Sequence, residues 1–453
     1  MNKLDTALMA AAFEDAGFTL TQEPLGADVV LINTCSVRDH AEQRVLSHLG
    51  NLNHLKQKGA QIVVGVIGCM AQRLGDKLLQ HPAVDIVCGP AQIPQIIPLV
   101  TKVIENKTKA ICVTRDIRNK NTGAESAQLD DFELRYDSDK NHIAGQAFVR
   151  VMRGCNKFCT YCIVPYVRGP EISRAPDVII SQIKKLADAG IKQITLLGQT
   201  INSYSYSAGD KTYRLADILE MASDIEAIKW IRFITSHPHP FDESILRAMA
   251  FLPQICPYLH IPAQSGSDKI LKAMNRNYTA SQYLSLIEKA RQILPDIAVA
   301  GDFIVGFPGE TDNDFNDTVE LVKKACYKNC FVFKYSPRPG TRAEKKLQDT
   351  VSIDTKKLRN TELLEIQNRI SENYNKRFLN RTLEVLVEGL SKKPHLNSST
   401  HNTNPQLIGR TNADYIVVFN GPESLIGRFT KVNIVKTSSL TLFGELNQIS
   451  NAQ

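Results

Sequence analysis

Cys155, Cys159 and Cys162 stand in the stretch GCNKFCTYC with the spacing C-x3-C-x2-C. Three thiolates on one short loop can hold three corners of an iron–sulfur cubane and leave the fourth iron without a protein ligand. A fully ligated cubane takes four cysteines, and a structural zinc site also closes with four ligands. A three-cysteine loop therefore points to an iron kept open for a small molecule. The competing reading is a zinc knuckle completed by a distant His or Cys, such as Cys256. Two more cysteines, Cys35 in NTC and Cys69 in IGC, each end an apolar run of strand type. Strand ends on one edge of a parallel sheet converge, and that edge is where ligands bind. The pair thus makes geometric sense as a second ligand set, with a buried structural thiol as the plain alternative for each.

The chain that must position these thiols has 453 residues, room for about three domains. Hydrophobic residues make up 43% and charged residues 22%, values of a globular protein that needs no staples. Ten cysteines over this length are too sparse for a disulfide framework. No apolar run reaches the roughly 18 residues of a membrane span, and no basic flank followed by an apolar core opens the chain. A cytoplasmic monomer away from membranes is expected. The net charge of +7 favours a polyanionic partner only weakly.

Residues 1–118 read as an N-terminal doubly wound α/β domain. Leu4, Leu8, Ala11, Ala12 and Phe13 form a helical stripe, so the chain opens on a helix and the first strand is missing. DVVLINT, QIVVGVIG and VDIVCG follow as continuous apolar runs, the pattern of a sheet buried on both faces. The polar stretch RNKNTGAESAQLDDFELRYDSDKN reads as an interdomain linker. Residues 141–378 alternate strand and helix through AFVRVM, QITLLG, WIRFIT, YLHIPA, AVAGDFIVG and CFVFKYS, which predicts a partial (β/α)6 barrel. GCNKFCTYC, LGQTINSY, TSHPHP, PAQSGS, GFPGET and SPRPGT then share the mouth at the C-terminal strand ends. A long charged helix closes this domain. Residues 379–446 carry short β-type runs around the polar loop SKKPHLNSSTHNTNPQ and read as a small all-β barrel.

The cysteine triplet with Tyr161 before its last member, opening a partial barrel, resembles the radical S-adenosylmethionine superfamily. INTCSVRDHAEQRV, GVIGCMA, CNKFCTYCIVPYVRGPEISR, LLGQTIN, LHIPAQSGSDKIL, DFIVGFPGET and SPRPGT are similar, in order and spacing, to its methylthiotransferases. Within these, NTCSVR, IVPYVRG and LLGQTIN favour the tRNA-2-methylthio-N6-dimethylallyladenosine synthase branch. The C-terminal module resembles TRAM domains, which bind RNA. The resemblance implies S-adenosyl-L-methionine and two [4Fe-4S] clusters. One is the radical cluster on Cys155, Cys159 and Cys162. The other is an auxiliary cluster on Cys35, Cys69 and a third cysteine. In the family that third ligand lies in GCQMN, which places it two residues before Met1. A late start site or a truncation is expected, with a natural two-cysteine variant as the alternative and Cys88 as an available substitute.

The resemblance also implies the reaction: a methylthio group replaces the C2 hydrogen of N6-isopentenyladenosine at position 37 of tRNA, using two S-adenosylmethionine molecules. Its partners would be the tRNA anticodon stem-loop, an electron donor such as flavodoxin or ferredoxin, and a sulfur source. The threonylcarbamoyladenosine branch is one alternative. An RNA-binding iron–sulfur or zinc protein without sulfur transfer is another.

Tyr161, Arg174, Gln199, Ser236, Gln264 and Ser265 are expected to contact the cofactor, and Arg168 a carboxylate or phosphate. Each serine or glutamine has helix capping as its bland reading. GFPGET is a tight turn or a wall of the cofactor site. His40, His48 and His54 read as surface residues, His237 and His239 lack metal-ligand spacing, and no Ser/His/Asp or H-E-x-x-H pattern occurs. Cys112, Cys256, Cys326 and Cys330 read as structural. The last domain sets Arg381, Lys392, Lys393, Arg410, Arg428, Lys431 and Lys436 against five acids, a modest excess suited to phosphate contact.

Overall fold

The computed structural model describes residues 1–36, 39–117, 123–136, 144–392 and 404–447, the side chains of 39–41 and 136 excepted. The chain forms two compact units. One comprises residues 1–141, 150–182 and 338–345; the other comprises 142–149, 183–337 and 346–453. The cysteine loop that follows Arg150 therefore belongs with the N-terminal segment.

The first unit is built on a parallel sheet whose strands Val29–Thr34, Val63–Gly68, Ile86–Cys88 and Ala110–Cys112 neighbour one another in chain order. Three of them are the apolar runs anticipated from sequence; the fourth, three residues long, was not foreseen. Val64, Val66 and Val87 pack on Val45, Leu49 and Leu52 of the helix Asp39–Gln57. On the other face Gly65 is closed over by Leu31 and Ile86. The opening helix Asn2–Asp15 buries Leu4, Leu8, Ala12 and Phe13, and also Asp5.

The expected linker is not one. Its central residues form the helix Gly123–Tyr136, which buries Leu129, Phe132 and Glu133. Residues 118–122 and 137–141 of that stretch lie outside the described residues. Glu133 is wholly buried, 3.4 Å from Arg150 Nη1, 3.0 Å from Arg153 Nη2 and 3.4 Å from Arg174 Nη1. Asp130 accepts from Arg153 and from Arg174, each at 2.6 Å. Asp5 pairs with Arg150 and, at 3.2 Å, with Arg168. The inward face of the helix mixes apolar groups with carboxylates. Its hydrophobic period is therefore too weak to read, and the matching arginines are distant in sequence.

The second unit contains all six anticipated barrel strands. Trp230–Ile234, Gln193–Leu197 and Gln146–Arg150 form one parallel sheet, the first two pairing directly, and Tyr258–His260, Ala298–Val305 and Asn329–Lys334 form another. The Ser236 amide donates to the His260 carbonyl at 3.0 Å, linking the end of the first sheet to the second. The hairpin Ser205–Ala208 with Lys211–Arg214 is an unforeseen insertion. The helix Ile353–Asn375 turns a polar side inward: Gln367 donates to the Tyr327 carbonyl and Ser371 to that of Lys328.

Thr382–Leu390, Gln406–Arg410, Ile416–Asn420, Thr441–Leu446 and Phe429–Thr437 close into a five-stranded barrel around Val385, Val387, Leu407, Val417, Phe419, Val432, Ile434 and Leu442. Gln406–Arg410 begins where the polar loop was read to end; residues 393–403 of that loop, Lys393 included, lie outside the described residues. Among the described residues no helix is long and apolar enough to cross a membrane.

Candidate functional site

Both cysteine sets are presented by glycines that no other residue could replace without a shift. Gly154 ends the strand pair before Cys155 at φ +71, and a Cβ there would lie 1.8 Å from the Pro170 carbonyl oxygen. That approach lets the Cys155 amide donate to the Gly169 carbonyl at 3.1 Å. Gly68, before Cys69, has φ +92, and its Cβ would lie 2.8 Å from the Thr34 carbonyl oxygen. Such φ values are open to glycine and costly to side chains with a Cβ.

Cys155 and Cys159 are buried and Cys162 and Tyr161 half-buried; all ten cysteines are free of disulfides. The Cys162 amide donates to the Cys159 carbonyl, and the Thr160 carbonyl accepts from the Ala343 amide at 2.8 Å, so residues 338–345 underpin the loop. Phe158 is held at φ +49 and packs edge-to-face on exposed Tyr166, their centroids 6.4 Å apart. Among the described residues no three His, Cys, Asp or Glu side chains close around a single metal ion. A cubane spreads its cysteines over separate irons, so three thiols facing a common cluster need not meet at one point.

Cys69 packs on Ile163 and Val167, directly after Cys162. Arg168 hydrogen-bonds the Cys69 thiol and pairs with Asp5; these partners raise the guanidinium's affinity for its proton against the opposing effect of burial. Arg168 also donates to the Asn2 side chain at 3.2 Å. Asn2 in turn donates to the Thr34 carbonyl at 3.0 Å, next to Cys35. Cys35, Cys69 and the start of the chain are thus gathered beside the Cys155–Cys162 loop within one unit. Arg168, read from sequence as a partner for a carboxylate or phosphate, lies in this buried internal network. Arg174, read as a cofactor contact, also meets internal partners. It is wholly buried, donating to Asp130, to Gln182 at 2.8 Å and to the Arg150 carbonyl.

Cys88 is buried, which pushes its thiol far up, and the thiol donates to the Gly89 and Gln92 carbonyls. Cys256 is packed between Trp230 and Leu386 in the second unit, where burial pushes its thiol up to about 11.

In the second unit the strand ends carry two orphaned acceptors. Gln199 Oε1 and Ser236 Oγ are buried with no hydrogen-bond partner, at the ends of the adjacent strands Gln193–Leu197 and Trp230–Ile234. Buried polar atoms are rarely left unpaired, so these two fit a polar small molecule. Gln264 is buried at φ +72, its amide donating to Asp302 and its carbonyl accepting from Ile304. Ser265 is buried, its hydroxyl lying 3.3 Å from Thr318 Oγ1 and accepting from the Ser267 amide. GFPGET is a locked turn, in which Glu310 accepts from the Gly306 amide at 2.8 Å and from Arg359 at 2.7 Å. His48 and His54 are exposed, and the side chain of His40 lies outside those described.

Sequence reasoning missed a pair on the barrel strands, His260 Nε2 and Asp302 Oδ1, 3.2 Å apart. The available signal was one polar residue in each of two apolar runs, YLHIPA and AVAGDFIVG. In the C-terminal barrel Arg381, Lys392, Arg428, Lys431 and Lys436 are exposed. Arg410 is instead tied to Asp414 at 3.0 Å and Glu388 at 3.2 Å.

Comparison with known proteins agrees with this layout. Residues 149–322 match the radical SAM superfamily, residues 1–89 the uncharacterized protein family UPF0004 and residues 376–446 the TRAM domain. A Rhodopirellula baltica protein named tRNA-2-methylthio-N(6)-dimethylallyladenosine synthase is 40% identical over 450 residues, 99% of this chain and 94% of that one. A protein of the same name from Parabacteroides distasonis is 40% identical over 446 residues, 98% and 93% of the two chains. Among solved structures, the radical S-adenosylmethionine methyltransferase TsrM from Kitasatospora setae shares the fold with a TM-score of 0.54 at 14% identity, over 73% of this chain and 70% of that one.

Proposed function

The chain belongs to the tRNA methylthiotransferases of the radical S-adenosylmethionine superfamily, and on that premise we propose that it converts N6-isopentenyladenosine at tRNA position 37 to the 2-methylthio derivative. The observation that carries this reading is the packing of Ile163 and Val167 on Cys69. It sets two cysteine groups side by side, as a reaction needing both hydrogen removal and sulfur delivery requires.

Family membership implies S-adenosylmethionine and a [4Fe-4S] cluster. In our proposal Cys155, Cys159 and Cys162 hold that cluster, and Cys35 and Cys69 contribute to a second. The donor set fits: three thiols outside any disulfide, on a loop fixed by Gly154. Within the second unit, the unpaired Gln199 and Ser236 oxygens suit a polar ligand. Once bound, these groups supply a carbon radical able to take hydrogen from C2 of adenine, and a methyl group for sulfur. The protein's part is positional. Gly154 and the 338–345 segment fix the loop, Arg168 steadies Cys69, and burial of Cys155 and Cys159 limits water access.

In the overall change the C2–H bond is lost and a C2–S bond to a methylthio group forms. One S-adenosylmethionine gives up its methyl group and the other accepts the hydrogen. Residues 1–118, 141–378 and 379–446 would respectively serve the second cluster, the radical chemistry and the RNA. The base must leave its stack to react, and the exposed Arg381, Arg428, Lys431 and Lys436 are suited to phosphates of the anticodon stem-loop. An electron donor of the flavodoxin or ferredoxin class and a sulfur source complete the system, in the cytoplasm, with the enzyme a monomer.

Anaerobic reconstitution followed by iron and sulfide analysis tests the cluster assignment. About eight irons per chain are expected for two cubanes, and about four would leave the second site empty. Zinc alone would overturn both clusters. Nucleoside analysis of tRNA from a deletion strain tests the substrate: 2-methylthio-isopentenyladenosine must fall, and an undiminished level refutes the choice of base.

A further inference from the structure

One phenylalanine on the last barrel strand remains unexplained by packing. Phe331 is 49% exposed, an unusual state for so large an apolar side chain in a strand. Its ring stacks with that of Phe333, the planes 13° apart and the centroids 6.5 Å. The strand's direction is fixed by Cys330, whose thiol reaches Gln367 of the helix Ile353–Asn375 at 3.3 Å. Side chains alternate along a strand, so Phe331 and Phe333 stand on the face away from that helix. Register sets Phe331 beside Asp302 and Phe333 beside Ile304. Asp302 in turn lies 3.2 Å from His260, one strand further in. One sheet face thus presents a stacked apolar pair next to a carboxylate–imidazole pair.

We propose that this face receives the modified base, with Phe331 as the seat of the apolar N6 substituent and Asp302 with His260 meeting the polar edge of the purine. The proposal rests on the reading of the substrate as N6-isopentenyladenosine. That base combines a flat ring, hydrogen-bonding edges and a branched five-carbon group, and an exposed aromatic face suits the last of these. A threonylcarbamoyl group, with its carboxylate, would meet Asp302 as a like charge.

The test measures binding of two anticodon stem-loop RNAs to the full chain by fluorescence anisotropy, one with isopentenyladenosine at position 37 and one with plain adenosine. Wild type should favour the first by roughly tenfold or more. Phe331→Ala should bring that ratio close to one by weakening the isopentenyl RNA, and Phe331→Leu should keep most of it. Because Phe331 is half exposed, thermal unfolding of both variants should match wild type. A full preference in Phe331→Ala overturns the proposal while the substrate reading stands, and equal weakening of both RNAs overturns it as well. No preference in wild type removes the substrate reading and the proposal together.

Discussion

Replacing Glu133 by glutamine keeps the side chain's shape and removes the negative charge that faces Arg150, Arg153 and Arg174. The carboxylate is wholly buried, so solvent cannot take its place. Removing one member of a buried ion group costs about 3–5 kcal/mol, because the remaining charges stay out of water. For a folded unit of this size that corresponds to a fall in Tm of about 6–20 °C, read by circular dichroism at pH 7. The acid limb gives a second signature. Burial alone would push the Glu133 and Asp5 carboxyls up. The guanidiniums of Arg150, Arg174 and Arg153 around Glu133, and of Arg150 and Arg168 around Asp5, more than offset this and hold both below the ordinary carboxylate range. A carboxyl depressed in the folded state adds stability above its unfolded pKa of about 4, and that contribution is lost as pH falls through the folded value. Wild type should therefore weaken steeply below about pH 4, and Glu133→Gln more shallowly. A Glu133→Gln protein melting within about 2 °C of wild type at pH 7 would refute the reasoning.

Gly154→Ala forces a Cβ against the Pro170 carbonyl, so it should bind about four fewer irons per chain after reconstitution while keeping its far-ultraviolet spectrum. Cys88→Ala should leave iron content unchanged, because the thiol only donates to backbone carbonyls, and should cost no more than about 2 kcal/mol by urea unfolding. The triple substitution Arg428→Ala, Lys431→Ala, Lys436→Ala should flatten the log–log salt dependence of tRNA binding by about two, at roughly 0.7–0.9 per phosphate contact. An unchanged slope would remove the C-terminal barrel from the RNA path.

The apolar strands were legible because their runs are continuous, and all six barrel strands fall where the sequence put them. Cys155, Cys159 and Cys162 stood out by spacing, and Cys35 and Cys69 by their position at strand ends. Charge partners were not legible. Arg168 and Arg174 look like surface cations in VRGPEISR, and only the fold brings Asp5, Asp130 and Glu133 to them. The helix Gly123–Tyr136 was lost for the same reason, since half of its inward face is carboxylate. Ser265 and Gln264 occupy similar loops, yet one is consumed by Thr318 and Ser267 while the other extends the sheet through its backbone. Side-chain commitments of that kind are set by neighbours in space and leave no periodic trace.

The first unit is not finished until residues 338–345 arrive, because the Thr160 carbonyl is bonded by the Ala343 amide and Ile163 lies against Gly340. A ribosome adding about 5–20 residues per second needs roughly 9–35 s to go from Cys162 to that segment. Throughout this interval the loop bearing Cys155, Cys159 and Cys162 lacks the backbone support of Ala343. A nascent chain stalled before residue 338 would carry those three thiols on an unsupported loop, open to any oxidant it meets.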